Sequence, residues 1–301
     1  MTFLYRPTVS SAEVQQSHQR WRTLIGVVRL LRPSNALPAS ALVLIGAERV
    51  SGWPLSAPVW WAAAAMLCVT AYGYVSNDCS DVAEDSVNKP DRPIAAGLVT
   101  PGTARGLAIG LAVAALGLSL LIGLGEAAVA LLVMGLLTLY NGWLKGTPGG
   151  GNLLIAGLAG GTLLTGGVAV RGFDLAALAP LAWPSLLLTL FVAAREIVKT
   201  LEDTPGDRRA GKRTVAIQLG PRRTVGLITV LTALLTLLSG LAVLIGGYSW
   251  LFLAVMTGGV IGPLLFTLLS LWPEAPPLQV RRALRLLKGS YFAGIVALLL
   301  A

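Results

Sequence analysis

The chain is 301 residues long, with 55% hydrophobic and only 12% charged residues, a net charge of +9 and a mean hydropathy of +0.74. Soluble domains carry about 25% charged residues, so the composition excludes an ordinary soluble domain and describes a chain dissolved in lipid. A single histidine leaves no histidine-based metal site or triad, and the two cysteines, Cys68 and Cys79, are about 16 Å apart by helical rise, too far for a disulfide.

Residues 1–22 are polar and read as a loose or interfacial segment, without the apolar core a secretion signal needs. Beyond them apolar runs recur at Thr23–Ala47, Ala57–Asn77, Ala104–Leu124, Ala127–Leu144, Leu153–Val170, Leu178–Thr200, Val225–Ile245, Leu251–Leu271 and Leu286–Ala301. Long runs with almost no charge predict transmembrane helices, and the absence of period-two alternation excludes a membrane β-barrel. The predicted fold is all-α and integral to the membrane, with residues 23–301 forming nine transmembrane helices in one bundle around a central cavity. Pro33 and Pro38 are expected to kink or interrupt the first span. Asn35, between them, serves either helix packing or a site lining. The last span opens in a basic stretch, where Arg285 and Lys288 can snorkel to the headgroups.

The connections fall into two classes. Long polar ones cover Asn77–Arg105, Lys199–Arg223 and Pro273–Lys288, with the shorter Lys145–Gly151 on the same side, while very short turns lie near Arg49, Gly123–Glu126, Arg171–Asp174 and Gly246–Ser249. With the N-terminal segment grouped beside the long connections, 21 of the 23 Lys and Arg fall on that side, and only Arg49 and Arg171 lie opposite. The positive-inside rule then places this face and the N-terminus in the cytoplasm and the C-terminus outside. The basic charge is thus largely a topology signal. No basic–aromatic interleaving of the single-strand-binding kind is present, so no nucleic-acid partner is expected; anionic lipid headgroups and an anionic substrate are.

The second span ends in Asn77-Asp78-Cys79-Ser80-Asp81-Val82-Ala83-Glu84-Asp85, which holds four of the chain's fourteen acidic residues. On a helix Asn77, Asp81 and Asp85 line one face, with Asp78 one turn below Asp81. Stacked carboxylates repel unless something positive lies among them, and hard oxygens in this pattern suit Mg²⁺, which takes carboxylates together with substrate phosphates. The alternative is a solvated acidic helix end. A basic turn, Asn88-Lys89-Pro90-Asp91-Arg92-Pro93, follows directly.

The fourth span closes with Tyr140-Asn141-Gly142-Trp143-Leu144-Lys145, where Lys145 is either a phosphate contact or a snorkelling boundary lysine. Gly149-Gly150-Gly151 lacks the Gly-Lys-Ser/Thr ending of a nucleotide-binding loop, and the glycines of Ala156–Gly167 are expected to permit close helix approach. The sixth span runs into a second polar cluster, Arg195-Glu196-Ile197-Val198-Lys199-Thr200-Leu201-Glu202-Asp203-Thr204-Pro205-Gly206-Asp207, and then the basic Arg208–Arg213 stretch. Asp203 and Asp207 repeat the four-residue carboxylate spacing, although Pro205 and Gly206 argue against a regular helix through them. Arg195, Lys199 and Glu202 would share a face; read alone, that is a helix stabilised by Glu–Lys pairs. Two acidic patches trailed by Lys and Arg on the same side of a membrane protein favour function. Together they can hold more than one Mg²⁺ around a diphosphate while the cations neutralise its outer oxygens.

At these residues the chain resembles the UbiA superfamily of intramembrane prenyltransferases. Asn77, Asp81 and Asp85 match the family's Asn-x-x-x-Asp-x-x-x-Asp motif, with Asp78 beside the Asn, and Asp203 and Asp207 match its Asp-x-x-x-Asp motif. Arg32-Pro33-Ser34-Asn35 matches its first-helix Arg-Pro-x-Asn, and Tyr140 to Lys145 its Tyr-to-Lys element. Asn88–Ile94 and Arg195–Asp207 look most like the geranylgeranylglycerol-phosphate geranylgeranyltransferases of archaeal-type ether lipids, with a departure at Thr200, where that group more often has an acid.

The resemblance implies Mg²⁺-dependent transfer of a polyprenyl group from an allylic diphosphate to a lipophilic acceptor, a lipid glycerol-phosphate or an aromatic compound, at the cytoplasmic face of a prokaryotic cell membrane. Asp78, Asp81, Asp85, Asp203 and Asp207 would hold Mg²⁺, and Lys89, Arg92, Lys145, Lys199 and Arg208 would contact the diphosphate. Asn35 and Asn152 would line the acceptor pocket; Asn77, Tyr140 and Arg195 join the binding residues through their motifs. A membrane terpene cyclase would carry the same motifs. A cation-coupled transporter would place its charges nearer mid-membrane.

Overall fold

The computed structural model describes residues 11–271 and 276–301. Among them every regular element is helical, and seven helices are long and apolar enough to cross a membrane, or eight if one bent pair is a single span.

That pair is the first span, interrupted at Pro33 as the sequence leads one to expect, and it departs from the sequence reading only in starting earlier. Helix α1 (Ser11–Leu31) begins inside the polar segment, and α2 (Pro33–Ser51) follows after a 41° bend. The break lies at Arg32, whose φ of 46° puts it in the left-handed region, while Pro38 is carried within α2. Pro33 sits at the first helical position, where its missing N–H costs nothing, and the residue before a proline is disfavoured in helical geometry. The interruption therefore falls before Pro33.

Helix α3 (Ala57–Ser80) ends at Asp81 and α4 (Val82–Asn88) starts after it. The helical register survives the joint, because the Asp81 N–H still donates to the Asn77 carbonyl at 3.0 Å and that of Asp85 to Asp81 at 2.8 Å. Then come α5 (Pro101–Leu120), α6 (Leu124–Gly142), α7 (Gly150–Arg171), the single turn α8 (Leu175–Leu178), α9 (Ala182–Arg209) and α10 (Val215–Leu244). Last are α11 (Trp250–Met256), α12 (Gly262–Leu271), joined to it by one π-turn at Thr257–Ile261, and α13 (Pro277–Leu299).

Two expectations fail at α9. The helix runs unbroken through Pro205, so Asp203 and Asp207 do share a face. Only the hydrogen bond to Leu201 is lost, and the Thr204 hydroxyl binds the neighbouring Thr200 carbonyl at 2.7 Å. The long connection expected over Lys199–Arg223 is mostly helix, since its Glu, Lys and Arg are good helix formers. Only a short turn separates α9 from α10, and a kink at Gly220-Pro221 divides the first turns of α10 from its apolar length. The ninth expected span lies in α13, which is not apolar enough to count as a membrane span because Arg281, Arg282, Arg285 and Lys288 occupy its first half.

Packing runs around the bundle: α3 lies against α2, α5 and α6, α7 against α2 and α9, α9 against α10, and α13 closes on α9, α12 and α2. The largest apolar core gathers along α9, α10, α12 and α13. Close approach depends on glycine. A Cβ on Gly166 would stand 1.9 Å from the Val43 carbonyl oxygen, and one on Gly46 would stand 2.0 Å from that of Leu163. The helices run alternately up and down, so the N-termini of α2, α7, α10 and α13 meet the C-termini of α3, α6 and α9 at one end. The polar residues collect there.

Candidate active site

Asp78, Asp81 and Asp85 point inward from the α3–α4 joint and are all buried, Asp78 to 2% exposure. The turn after α4 folds back over them, and Arg92 reaches all three: 2.9 Å to Asp78, 2.6 Å to Asp85 and 3.8 Å to Asp81. Lys145, in the short turn after α6, bonds Asp81 and, at 3.0 Å, the Asn77 Oδ1, while Asn77 donates to Asp81 Oδ2 at 2.9 Å. Arg32 closes the group from the α1–α2 joint, 2.6 Å from Asp78 and with its guanidinium 4.7 Å above the Tyr74 ring.

The second patch meets the first through two lysines. Lys89 lies 2.9 Å from Asp203. Lys212 lies 2.5 Å from Glu84 and 3.9 Å from Asp207. The turn carrying Lys212 is held in place by an Arg213 N–H bond to the Gly146 carbonyl at 3.0 Å, which ties it to the Lys145 turn. About two turns deeper on α9, buried Glu196 accepts from Arg195 at 2.6 Å and from Lys199 at 3.4 Å. Asn152 donates to the Glu196 carbonyl at 3.2 Å. Lys199 thus pairs with Glu196; Glu202, expected on its face, turns outward to Arg281 at 3.4 Å. Tyr140 is half-buried beside these groups, close enough for Gly151 to be needed against its ring.

Seven carboxylates (Asp78, Asp81, Glu84, Asp85, Glu196, Asp203 and Asp207) therefore meet seven cations (Arg32, Lys89, Arg92, Lys145, Arg195, Lys199 and Lys212). Burial pushes the Asp85 carboxyl up, against the pull of Arg92, and the Asp81 and Asp78 charges add to the rise. Burial lowers Lys145, with Asp81 holding back part of the fall. Arg92 is raised despite its burial, because Asp78 and Asp85 favour its charged form.

Of the residues singled out in the sequence, the five aspartates, Asn77, Lys89, Arg92 and Lys145 converge directly, and Arg195, Lys199, Asn152 and Tyr140 border them. Asn35 stands half-buried in the first turn of α2, and Arg208 is exposed on the surface without an ion pair among the described residues. Sequence reasoning missed Arg32, Glu84, Glu196 and Lys212 as members of the cluster. Arg32 and Glu196 lie inside quoted motifs, whereas Lys212 was one of several cations in a basic run.

Beneath the cluster an apolar pocket runs along the facing sides of α9 and α13, lined by Leu187, Phe191, Met256, Tyr291, Ile295 and Leu298 among others. Tyr291 joins it to the polar layer, its ring 5.5 Å from the Arg195 guanidinium. The charged layer thus borders an apolar pocket at Tyr291.

A sequence profile of the UbiA prenyltransferase family matches residues 35–289. The chain belongs to the UbiA prenyltransferase family. It is a prenyltransferase and an integral, multi-pass membrane protein. It is similar to the digeranylgeranylglyceryl phosphate synthase of Natronomonas pharaonis, at 37% identity over 79% of this chain and 84% of that one. A solved digeranylgeranylglyceryl phosphate synthase superposes with a TM-score of 0.69 at 27% identity, covering 92% of this chain and 97% of that chain. A UbiA homologue from Archaeoglobus fulgidus bound to GPP and Mg²⁺ shares the fold, with a TM-score of 0.63 at 17% identity and coverage of 91% and 99%.

Proposed function

We propose that this UbiA protein transfers a polyprenyl group from an allylic prenyl diphosphate to a glycerol-phosphate lipid. The observation that carries the reading is the junction of the two acidic patches, Asp78–Asp85 and Asp203–Asp207, through Lys89 and Lys212, above an apolar pocket. The names of the synthases it resembles favour the lipid phosphate over an aromatic acceptor.

The residues fit Mg²⁺ by chemistry and by charge. All seven acidic side chains offer hard oxygens, and Asp78 Oδ2 is buried without a hydrogen-bond partner among the described residues. No three ligating side chains converge on one point among those residues, because each carboxylate is held by a lysine or arginine. That balanced set has no spare charge for a diphosphate ester, which brings roughly three negative charges. More than one divalent cation is needed to supply the difference, and Asp78, Asp81, Asp85, Asp203 and Asp207 are the residues to hold them. When bound, Mg²⁺ provides Lewis-acid stabilisation of the leaving diphosphate.

The chain's own groups do the rest. Lys89, Arg92, Lys145 and Lys199 turn from their carboxylates to the diphosphate oxygens, and Lys212 and Arg32 stand close enough to share that work. These charges favour departure of the diphosphate from C1 over its ground state. The apolar walls hold the prenyl chain and keep water from the allylic cation; the acceptor hydroxyl oxygen bonds to C1 as its proton passes to the departed diphosphate. Asn35 and Asn152 line the acceptor side, with Asn77, Tyr140 and Arg195 supporting the site; Arg208 ranks lowest because of its exposure. We place the site at the cytoplasmic face of a prokaryotic cell membrane, with the N-terminus inside and α13 as the ninth span behind its basic first half.

Purified protein given donor, Mg²⁺ and the lipid glycerol-phosphate should form the prenyl ether, and none with chelator. A cyclised product from donor alone would instead identify a terpene cyclase.

A further inference from the structure

We propose that α1 is a membrane-surface helix that docks on anionic lipid headgroups, and that its docking sets the joint at Arg32 and through it the hold on Asp78. The lipid contact is independent of the reaction proposed above; only its effect on turnover rests on that reading.

The case begins with the faces of α1. Leu30 is fully buried, and with Val27 and Leu31 it packs on Ile94, Val99 and Ala104. Gly26 lets the helix settle there, since a Cβ would lie 2.6 Å from Val99. Outside this contact Trp21, Leu24, Ile25 and Val28 are all exposed, Trp21 to 64%. On the helix these four share an arc of about 100°. Arg20 borders one edge of the arc, Arg22 and Arg29 the other, and all three are exposed. An apolar stripe edged on both sides by arginine is the pattern of a helix lying in the headgroup region, with its stems in the apolar boundary and its charges among phosphates.

Length and level agree with this. α2 has 19 residues and spans about 28 Å, close to the ~30 Å hydrocarbon core. By length it reaches across on its own, while by composition it makes a span only together with Gln19–Leu31, from which it is bent by 41°. The residues under α1 belong to the turn after Arg92 and the start of α5, which places α1 at the level of the polar end. The helix then meets α2 at Arg32, a left-handed non-glycine position bonded to Asp78 at 2.6 Å. Strain at such a position persists only where surrounding contacts hold it, and the seating of α1 is one of those contacts.

The test uses the full chain with Leu24→Cys in a Cys68→Ala/Cys79→Ala background, labelled with an environment-sensitive fluorophore. The protein is placed in vesicles of phosphatidylcholine alone or mixed with phosphatidylglycerol. Each arginine near an anionic surface should contribute about fivefold to partitioning. Adding phosphatidylglycerol should therefore shield the probe from a water-soluble quencher several-fold, and raising salt should reverse this as charges are screened. The Arg20→Gln/Arg22→Gln/Arg29→Gln variant should not respond to lipid charge, while turning over in phosphatidylcholine like its parent. A probe equally open to quencher in both vesicles, or a triple variant that responds like its parent, overturns the docking. Turnover indifferent to anionic lipid while the probe does dock overturns the coupling through Arg32. An inactive parent with a docking probe counts against the proposed reaction alone.

Discussion

Replacing Asp203 with Asn separates the charge of the second acidic patch from its shape. The side chains are isosteric, and the amide oxygen can still accept from Lys89, which lies 2.9 Å from the carboxylate. A hydrogen bond to a charged group is worth about 1.5–3 kcal/mol and a neutral one about half that. With both side chains 24–30% exposed, solvent screening reduces the difference to roughly 1 kcal/mol or less. Folding should thus be nearly untouched. If Asp203 holds metal against the leaving diphosphate, its charge acts on the transition state, and such a contact is worth about 10²–10³ in kcat. The assay is steady-state transfer of labelled prenyl donor in detergent across a Mg²⁺ titration, with thermal melting of the same preparations. Asp203→Asn should melt with the parent, turn over about 10²–10³ more slowly and need more Mg²⁺. A rate within a few-fold of the parent at unchanged Mg²⁺ demand refutes a metal-holding role for Asp203.

Other substitutions probe the remaining contacts. Glu196→Gln removes the buried negative charge that Arg195 and Lys199 share, puts an NH₂ against one of them and should cost about 3 kcal/mol of stability, read by melting; Glu202→Gln, whose partner Arg281 is largely exposed, should cost under about 1 kcal/mol. Gly166→Ala drives a Cβ into the Val43 carbonyl and should destabilise by about 2 kcal/mol or more, whereas Gly226→Ala, with open space around it, should be neutral or slightly stabilising. Arg208→Gln should change turnover by less than about twofold, and Lys212→Gln should lower it by about tenfold, because a charge-assisted contact of this kind is worth about 1.5 kcal/mol or more. The same transfer assay checks both.

Most of the bundle was legible in the sequence because apolar runs of bilayer length leave few other readings; eight of the nine expected spans coincide with the helices or bent pair long and apolar enough to cross. Boundaries moved where polar helix formers carry a helix past its apolar part, as in α9 to Arg209. The break at Arg32 was less legible, since Pro33 and Pro38 offered competing places and only the joint's contacts select one. Local spacing found the aspartates, because helical repeats bring residues four apart together. It could not show that Lys212 crosses to Glu84, 128 residues away, or that Lys199 chooses Glu196 over Glu202. Those pairings depend on tertiary distance, which no periodicity encodes.

The central claim is that Asp78–Asp85 and Asp203–Asp207 work as one site. It is tested most directly by measuring kcat for Asp81→Asn, Asp203→Asn and the double variant under identical Mg²⁺ and donor. Groups that act as a unit are strongly non-additive, so each single change should cost about 10²–10³ and the double should be little worse than either. Losses that multiply, or a loss in only one of the single variants, would contradict a shared site.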